Sequence, residues 1–205
     1  MSDNNELDSI EKLVEETEAH SSAEVVVSFS PSAGNYRDLD LLWAILFGLV
    51  LLSVKIWSRI EFHPDWVLLD MVLCGGTGFL LSQKIRGLRR LFLTERRAVR
   101  ETTKAAQAQF THLQIAQTSE RTGLLLHVFR LERRIAILPD SGITESLAPA
   151  LWTELTRKYS KATREADLLP NLKALLRDLK GPLSRHLPRS EDDIDELPNR
   201  PVEAL

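Results

Sequence analysis

The chain has 205 residues, 43% hydrophobic and 27% charged with a net charge of −3, which leaves room for one ordinary domain plus an insertion and excludes a multidomain machine. Its single cysteine, Cys74, excludes an intrachain disulfide, and the polar start Met1–Glu6 lacks the basic and apolar runs of a cleaved secretion signal. The near-neutral total hides segregated charge: ten acids against Lys12 and Arg37 from Met1 to Asp40, then eight bases against Glu95 and Glu101 from Lys84 to Lys104.

Leu7, Ile10, Leu13 and Val14 recur at helical spacing among carboxylates, so Leu7–His20 reads as an amphipathic helix. Ser21-Ser22 interrupts it, Glu24–Phe29 (EVVVSF) reads as a short β-branched strand, and Ser30–Asn35 as a loop. Two apolar stretches follow, Leu41–Val54 and Trp66–Leu81, each extending over roughly 16–19 residues, near the lower limit for crossing a bilayer at about 1.5 Å per residue. Trp43, Trp57 and Trp66 lie near the stretch ends, where interfacial aromatics are expected, and Gly75, Gly76 and Gly78 suit close helix packing. The alternative is a helical hairpin buried in a soluble protein, which would have to hide two helices apolar on nearly every face. Asp70 stands four residues inside Trp66, about 6 Å of helix rise, and reads as a shallow carboxylate near the headgroups rather than a proton relay.

Between the two apolar stretches stand Lys55, just before the linker Ser58–Asp65, and Arg59 within it, whereas Lys84, Arg86, Arg89, Arg90, Arg96 and Arg97 crowd after the second stretch and Arg37 precedes the first. This asymmetry predicts both termini in the cytoplasm, with Lys84, Arg86, Arg89 and Arg90 joining the three tryptophans at the membrane interface. The basic block lacks the interleaved aromatics of a nucleic-acid site, so lipid is the expected partner and nucleic acid is not.

Beyond the block, Thr94–His112 reads as a polar helix capped by Thr94. Gly123–Phe129 and Arg134–Leu138 read as an antiparallel strand pair, and Ile143–Tyr159 and Ala166–Leu179 as helices. Pro182 and Pro188 open a tail that becomes acidic and extended from Ser190. The first helix and strand are too short to fold alone, and an even number of crossings returns the chain to its starting side. One domain, split into residues 1–38 and 87–183 around a hairpin at 39–86 and ending in a tail at 184–205, is therefore expected.

Several blocks resemble the TPM domain family: Ser22-Ala23-Glu24-Val25-Val26-Val27 after an acidic helix; Phe110, then Thr118–Leu125 with its Arg121-Thr122-Gly123 turn; Glu132–Ile137, then Asp140-Ser141-Gly142-Ile143; and Trp152. The stretch His186-Leu187-Pro188 with Asp192–Asn199 is similar to the ending of bacterial membrane members, and the matching blocks cover about 100 of the 205 residues. The resemblance implies an α/β/α sandwich with a short mixed sheet. The inserted hairpin departs from the stand-alone domain, which has only a loop there. Family members include a reported phosphatase of plant thylakoids, calcium-binding proteins and an animal protein that assists a receptor channel, and none of these roles carries over without its residues.

No catalytic constellation can be assembled from the residues. Cys74 has no phosphatase arginine beside it, Asp38-Leu39-Asp40 precedes an apolar helix rather than ending a strand, and Gly75-Gly76-Thr77-Gly78 lacks the lysine of a phosphate loop. His127 alternates within a strand as a core or edge residue does. Asp140 ends a strand beside Gly142, and with Glu24 or Glu120 it is the candidate ligand of a hard cation such as Ca²⁺, the competing reading being a helix cap. No other cofactor is expected. The expected function is a non-catalytic, membrane-anchored binding or accessory module with an unidentified membrane or cytoplasmic protein partner. A membrane-bound phosphatase, by resemblance, and a channel or transporter subunit are the alternatives.

Overall fold

The computed structural model describes residues 2–58, 63–189, 197 and 200–203, so Arg59 and Glu61 of the linker and Ser190–Glu196 of the tail lie outside the described residues. The chain divides into two compact units: Met1–Ala33 with Val99–Leu205, and Gly34–Ala98. In chain order the elements are α1 (Ser2–Glu18), β1 (Glu24–Ser30), α2 (Arg37–Trp57), α3 (Pro64–Lys84), α4 (Arg86–Phe92), α5 (Glu95–His112), β2 (Gly123–Phe129), β3 (Arg134–Pro139), α6 (Ser141–Ser146), α7 (Pro149–Tyr159), α8 (Leu168–His186) and β4 (Val202–Glu203).

The first unit is α/β with a short mixed sheet in the order β3-β2-β1-β4. β1 runs parallel to β2 in the register Val25↔Leu124 to Phe29↔Val128, β2 pairs antiparallel with β3, and the two-residue β4 adds a parallel edge beside Ser28 and Phe29. Parallel neighbours need a long crossover, and here it contains the whole second unit. All seven residues of β1 and of β2 are buried, as expected for strands covered on both faces. Alternation sorts them. Val25, Val27 and Phe29 join Leu124, Leu126, Val128 and Ile135 in the larger core with Ile10 and Val14 of α1 and Leu172, Leu175, Leu176 and Leu179 of α8. Val26 and Leu125 form a smaller core with Ile115, against which Phe110, Leu113, Leu138 and Leu197 pack. The last of these brings part of the tail onto the sheet.

Two helix boundaries differ from expectation. The segment expected as one helix over Ile143–Tyr159 is two, because Pro149 has no N–H to donate and holds Ala148 extended (ψ 133°), while Leu147 before it is also extended (ψ 139°). Conversely, α8 runs through Pro182 to His186. An interior proline costs about 3 kcal/mol. The helix persists because Leu179 and Leu183, on either side, are fully buried, and burying each such side chain contributes about 1.5–3 kcal/mol.

The second unit is a helical hairpin followed by the short α4, a helix hidden within the basic run of the sequence. α2 and α3 are long and apolar enough to cross a membrane, and only 17% and 11% of their apolar windows are buried. Ile45, Val50, Val54, Leu68, Val72 and Leu80 are more than half exposed, which argues against a hairpin buried in a soluble core. The helices pack closely through glycine. A Cβ at Gly78 would come within 2.8 Å of the Trp43 carbonyl oxygen and of the Phe47 ring, and one at Gly75 within 3.2 Å of the Ala44 carbonyl oxygen, whereas one at Gly76 would meet nothing within 4 Å. Gly78→Ala is therefore expected to wedge the helices apart and cost about 1–3 kcal/mol, while Gly76→Ala is neutral or slightly stabilising, by up to about 1 kcal/mol. Denaturant titration of the two full-length variants in detergent distinguishes them; equal effects would mean that the glycines do not set the packing.

Candidate functional site

Asp140 is the N-cap of α6, its carboxylate accepting a 2.7 Å hydrogen bond from the Ser141 amide. Gly142 follows as glycine for a steric reason: its amide donates to the Arg121 carbonyl, and a Cβ there would lie 2.5 Å from the Glu120 carbonyl oxygen. The Asp140 amide donates to the Gly123 carbonyl, and the Glu24 amide to that of Thr122. Asp140, Glu24 and the Glu120 turn thus gather at one end of the sheet, with Glu24 buried and Glu120 exposed. Among the described residues, however, no three His, Cys, Asp or Glu side chains are grouped so as to hold a metal ion. Nor does Asp140 stand at the carboxyl end of the parallel strands. Because β3 runs antiparallel to β2, its last residue lies at the amino end of the parallel pair β1/β2, opposite the carboxyl end where open α/β sheets bind ligands.

That carboxyl end carries a shallow cleft lined by Phe29, Val128, Arg130, Glu165, Leu168 and Leu169. Nearby, on the other face of the strands, lies a buried polar cluster not anticipated as a group. Ser28 and His127 are register partners, Ser30 Oγ lies 2.7 Å from His127 Nε2, and the imidazole stacks on Phe129 with ring centres 4.2 Å apart. A hydroxyl within hydrogen-bond reach of an imidazole has the spacing of a nucleophile and its base. Yet Ser30 and His127 are 8% and 1% exposed, and among the described residues His127 Nδ1 has no hydrogen-bond partner. The arrangement is a core hydrogen bond that ties the end of β1 to β2. Burial lowers the pKa of His127 to about 4. The unfolded imidazole titrates near 6.5, so the unfolded chain binds the extra proton first. Stability is then complete above about pH 6.5 and falls as pH drops toward 4, by an amount on the order of 3 kcal/mol. Melting curves of wild type and His127→Gln between pH 7 and 4 test this; the variant is expected to lack that slope, and identical slopes would exclude His127 as its source.

The second unit holds a pair of arginine–aspartate contacts. Asp40, fully buried, accepts hydrogen bonds from Arg89 Nε at 2.8 Å and Nη2 at 2.7 Å, and from the Ser82 hydroxyl. Asp38 is gripped by both terminal nitrogens of Arg97, whose guanidinium also sits 5.1 Å above the Tyr36 ring. The aspartate pair is thereby committed to arginines, in keeping with a structural role. Trp43 turns inward: its indole N–H donates to the Leu88 carbonyl at 2.9 Å, and its ring meets Phe92 edge-on. Trp57 and Trp66, at the other end of the hairpin, are 87% and 61% exposed. Of the basic residues expected at the interface, Lys84 and Arg86 are exposed, Arg90 is half-buried, and Arg89 belongs to the Asp40 network.

Asp70 pairs with Lys55 across the hairpin at 2.5 Å, which gives the awkward carboxylate a cation instead of leaving it hydrated alone. The signal was present in the sequence, since Lys55 stands two residues before Trp57 and Asp70 four after Trp66, so an antiparallel hairpin sets them at similar depth. Neither the Arg89–Asp40 nor the Arg97–Asp38 pair could be found that way, because both join residues more than forty positions apart.

No family model matches the chain, and no curated protein matches it. Among solved structures, the NMR structure of the BA42 protein from the psychrophilic bacterium Bizionia argentinensis is similar, with a TM-score of 0.56 and 15% identity over 98% of this chain and 93% of that one. At that identity the likeness concerns the fold alone.

Proposed function

We propose that this chain is a membrane-anchored member of the TPM domain family whose hairpin crosses the bilayer, with both termini cytoplasmic, and whose α/β unit serves a protein partner at that face as a non-catalytic accessory module. The observation that carries the reading is the parallel pairing of β1 with β2 across an inserted hairpin with exposed apolar faces. Such a fold cannot close without returning the chain to the side it left. The charge asymmetry supports the orientation: seven bases flank the end of the hairpin nearer the termini, two the linker. The ordered sequence blocks support the family assignment, and the α/β unit with its short mixed sheet is the architecture that the resemblance implies.

The test uses the full chain in its native membrane. Expected are retention in the membrane after alkaline carbonate, a stoichiometric protein partner that survives mild detergent, and no turnover of phosphomonoesters with or without Ca²⁺. Saturable turnover abolished by Asp140→Asn would replace the accessory reading with a phosphatase, and release by carbonate would remove the membrane reading.

A further inference from the structure

We infer that the end of the hairpin formed by α4 and the last turn of α3 is a binding site for anionic phospholipid, with Lys84, Arg86 and Arg90 taking the headgroup phosphate and Ile85 and Leu91 entering the acyl region. The inference rests on the membrane reading above and adds to it a ligand of defined chemistry.

The geometry starts at Ile85, which leaves the helical region (φ −102°, ψ 94°) and separates α3 from α4. α4 is then pinned against α2 by the bidentate Arg89–Asp40 pair, the Trp43–Leu88 hydrogen bond and the Trp43–Phe92 ring contact. These contacts fix which side of α4 faces inward. At about 100° per residue, Arg86 and Arg90 fall together about 60° and about 100° to one side of Arg89, and Leu91 about 160° away from it. Leu91 is 72% exposed and Ile85 47%, and Leu80 on the last turns of α3 is 60% exposed.

Charge completes the argument. Around this end of the hairpin stand Arg37, Lys84, Arg86, Arg89, Arg90, Arg96 and Arg97 against Asp38, Asp40 and Glu95, seven cations against three acids. Asp40 is fully buried against Arg89, and the exposed Asp38 is neutralised by its pair with Arg97, so neither carboxylate adds an uncompensated negative charge to repel an approaching anion. A ligand fitting this surface must be anionic at one end and apolar at the other, within one seven-residue helix that directly follows a long apolar one. A nucleic acid or an acidic peptide satisfies the first requirement and leaves Ile85 and Leu91 in water; an anionic phospholipid satisfies both.

The experiment follows thermal unfolding of the full chain in a neutral detergent during titration with phosphatidylglycerol, phosphatidylcholine of the same acyl chains, or inorganic phosphate. Phosphatidylglycerol is expected to raise the midpoint saturably, and the other two to leave it unchanged. At about 1 kcal/mol for each arginine, Arg86→Gln/Arg90→Gln should bind phosphatidylglycerol about 30-fold more weakly. Arg86→Lys/Arg90→Lys, which keeps the charge, should retain most of the shift, so that loss in the glutamine variant is not misfolding. Equal shifts with both lipids, a shift with phosphate alone, or an unchanged affinity in the glutamine variant would overturn the inference. Carbonate retention, measured in parallel, reports on the spanning hairpin itself and separates failure of the lipid site from failure of the membrane reading.

Discussion

A fragment beginning at Thr94 will not fold to a monomer, because it lacks α1 and β1. β1 lies inside the sheet, between β2 and β4, so its removal exposes the full length of β2 as an unpaired edge. The larger core loses Ile10, Val14, Val25, Val27 and Phe29 at the same time. At about 1.5–3 kcal/mol for each buried side chain, the loss is roughly 7–15 kcal/mol, as large as the whole stability of an ordinary domain. Aggregation or a molten fragment is expected in size-exclusion chromatography and circular dichroism. A cooperative, monomeric fragment would show that the segment before the hairpin is not part of the core.

The second large effect is expected at Asp40. Its side chain is fully buried and accepts three hydrogen bonds, two of them from Arg89, which retains 23% exposure. Truncation to alanine strands a guanidinium and a serine hydroxyl. Breaking a fully buried pair costs about 3–5 kcal/mol; the partial hydration of Arg89 brings the expectation for Asp40→Ala to about 2–4 kcal/mol. A cycle with Arg89→Leu should give a coupling of about 1–3 kcal/mol, the double variant being more stable than the separate losses predict. Single variants that each cost less than about 0.5 kcal/mol would mean that the network does not hold α4 in place.

Much of the first unit was legible from periodicity. α1, β1, β2 and β3 lie within a few residues of their apolar patterns, and the expected antiparallel pairing of β2 with β3 is present. What escaped did so for identifiable reasons. The break before Pro149 was written in the residue itself, but the flanking helical spacing of apolar residues ran through it. α8 crosses Pro182 because buried leucines on both sides outweigh the lost hydrogen bond, a tertiary effect invisible in a local window. β4 is two residues long and exists only through its neighbour β1. Asp140 was correctly placed at the end of a strand, yet strand direction within the sheet decides what that end means, and the antiparallel turn at Arg130–Arg133 sends it to the amino side of β1/β2. The buried Ser30–His127 bond joins residues 97 positions apart, and nothing in either local pattern marks it.

The central claim is that one α/β unit is assembled on one side of a bilayer around a hairpin that crosses it twice. Cysteine accessibility tests it most directly. With Cys74 replaced by serine, single cysteines are placed at His63, which is exposed at the start of α3, and at Arg185, near the end of α8. The account predicts that a membrane-impermeant maleimide labels His63→Cys in intact cells and Arg185→Cys only after permeabilisation. Labelling of Arg185→Cys in intact cells, with His63→Cys protected, would contradict it.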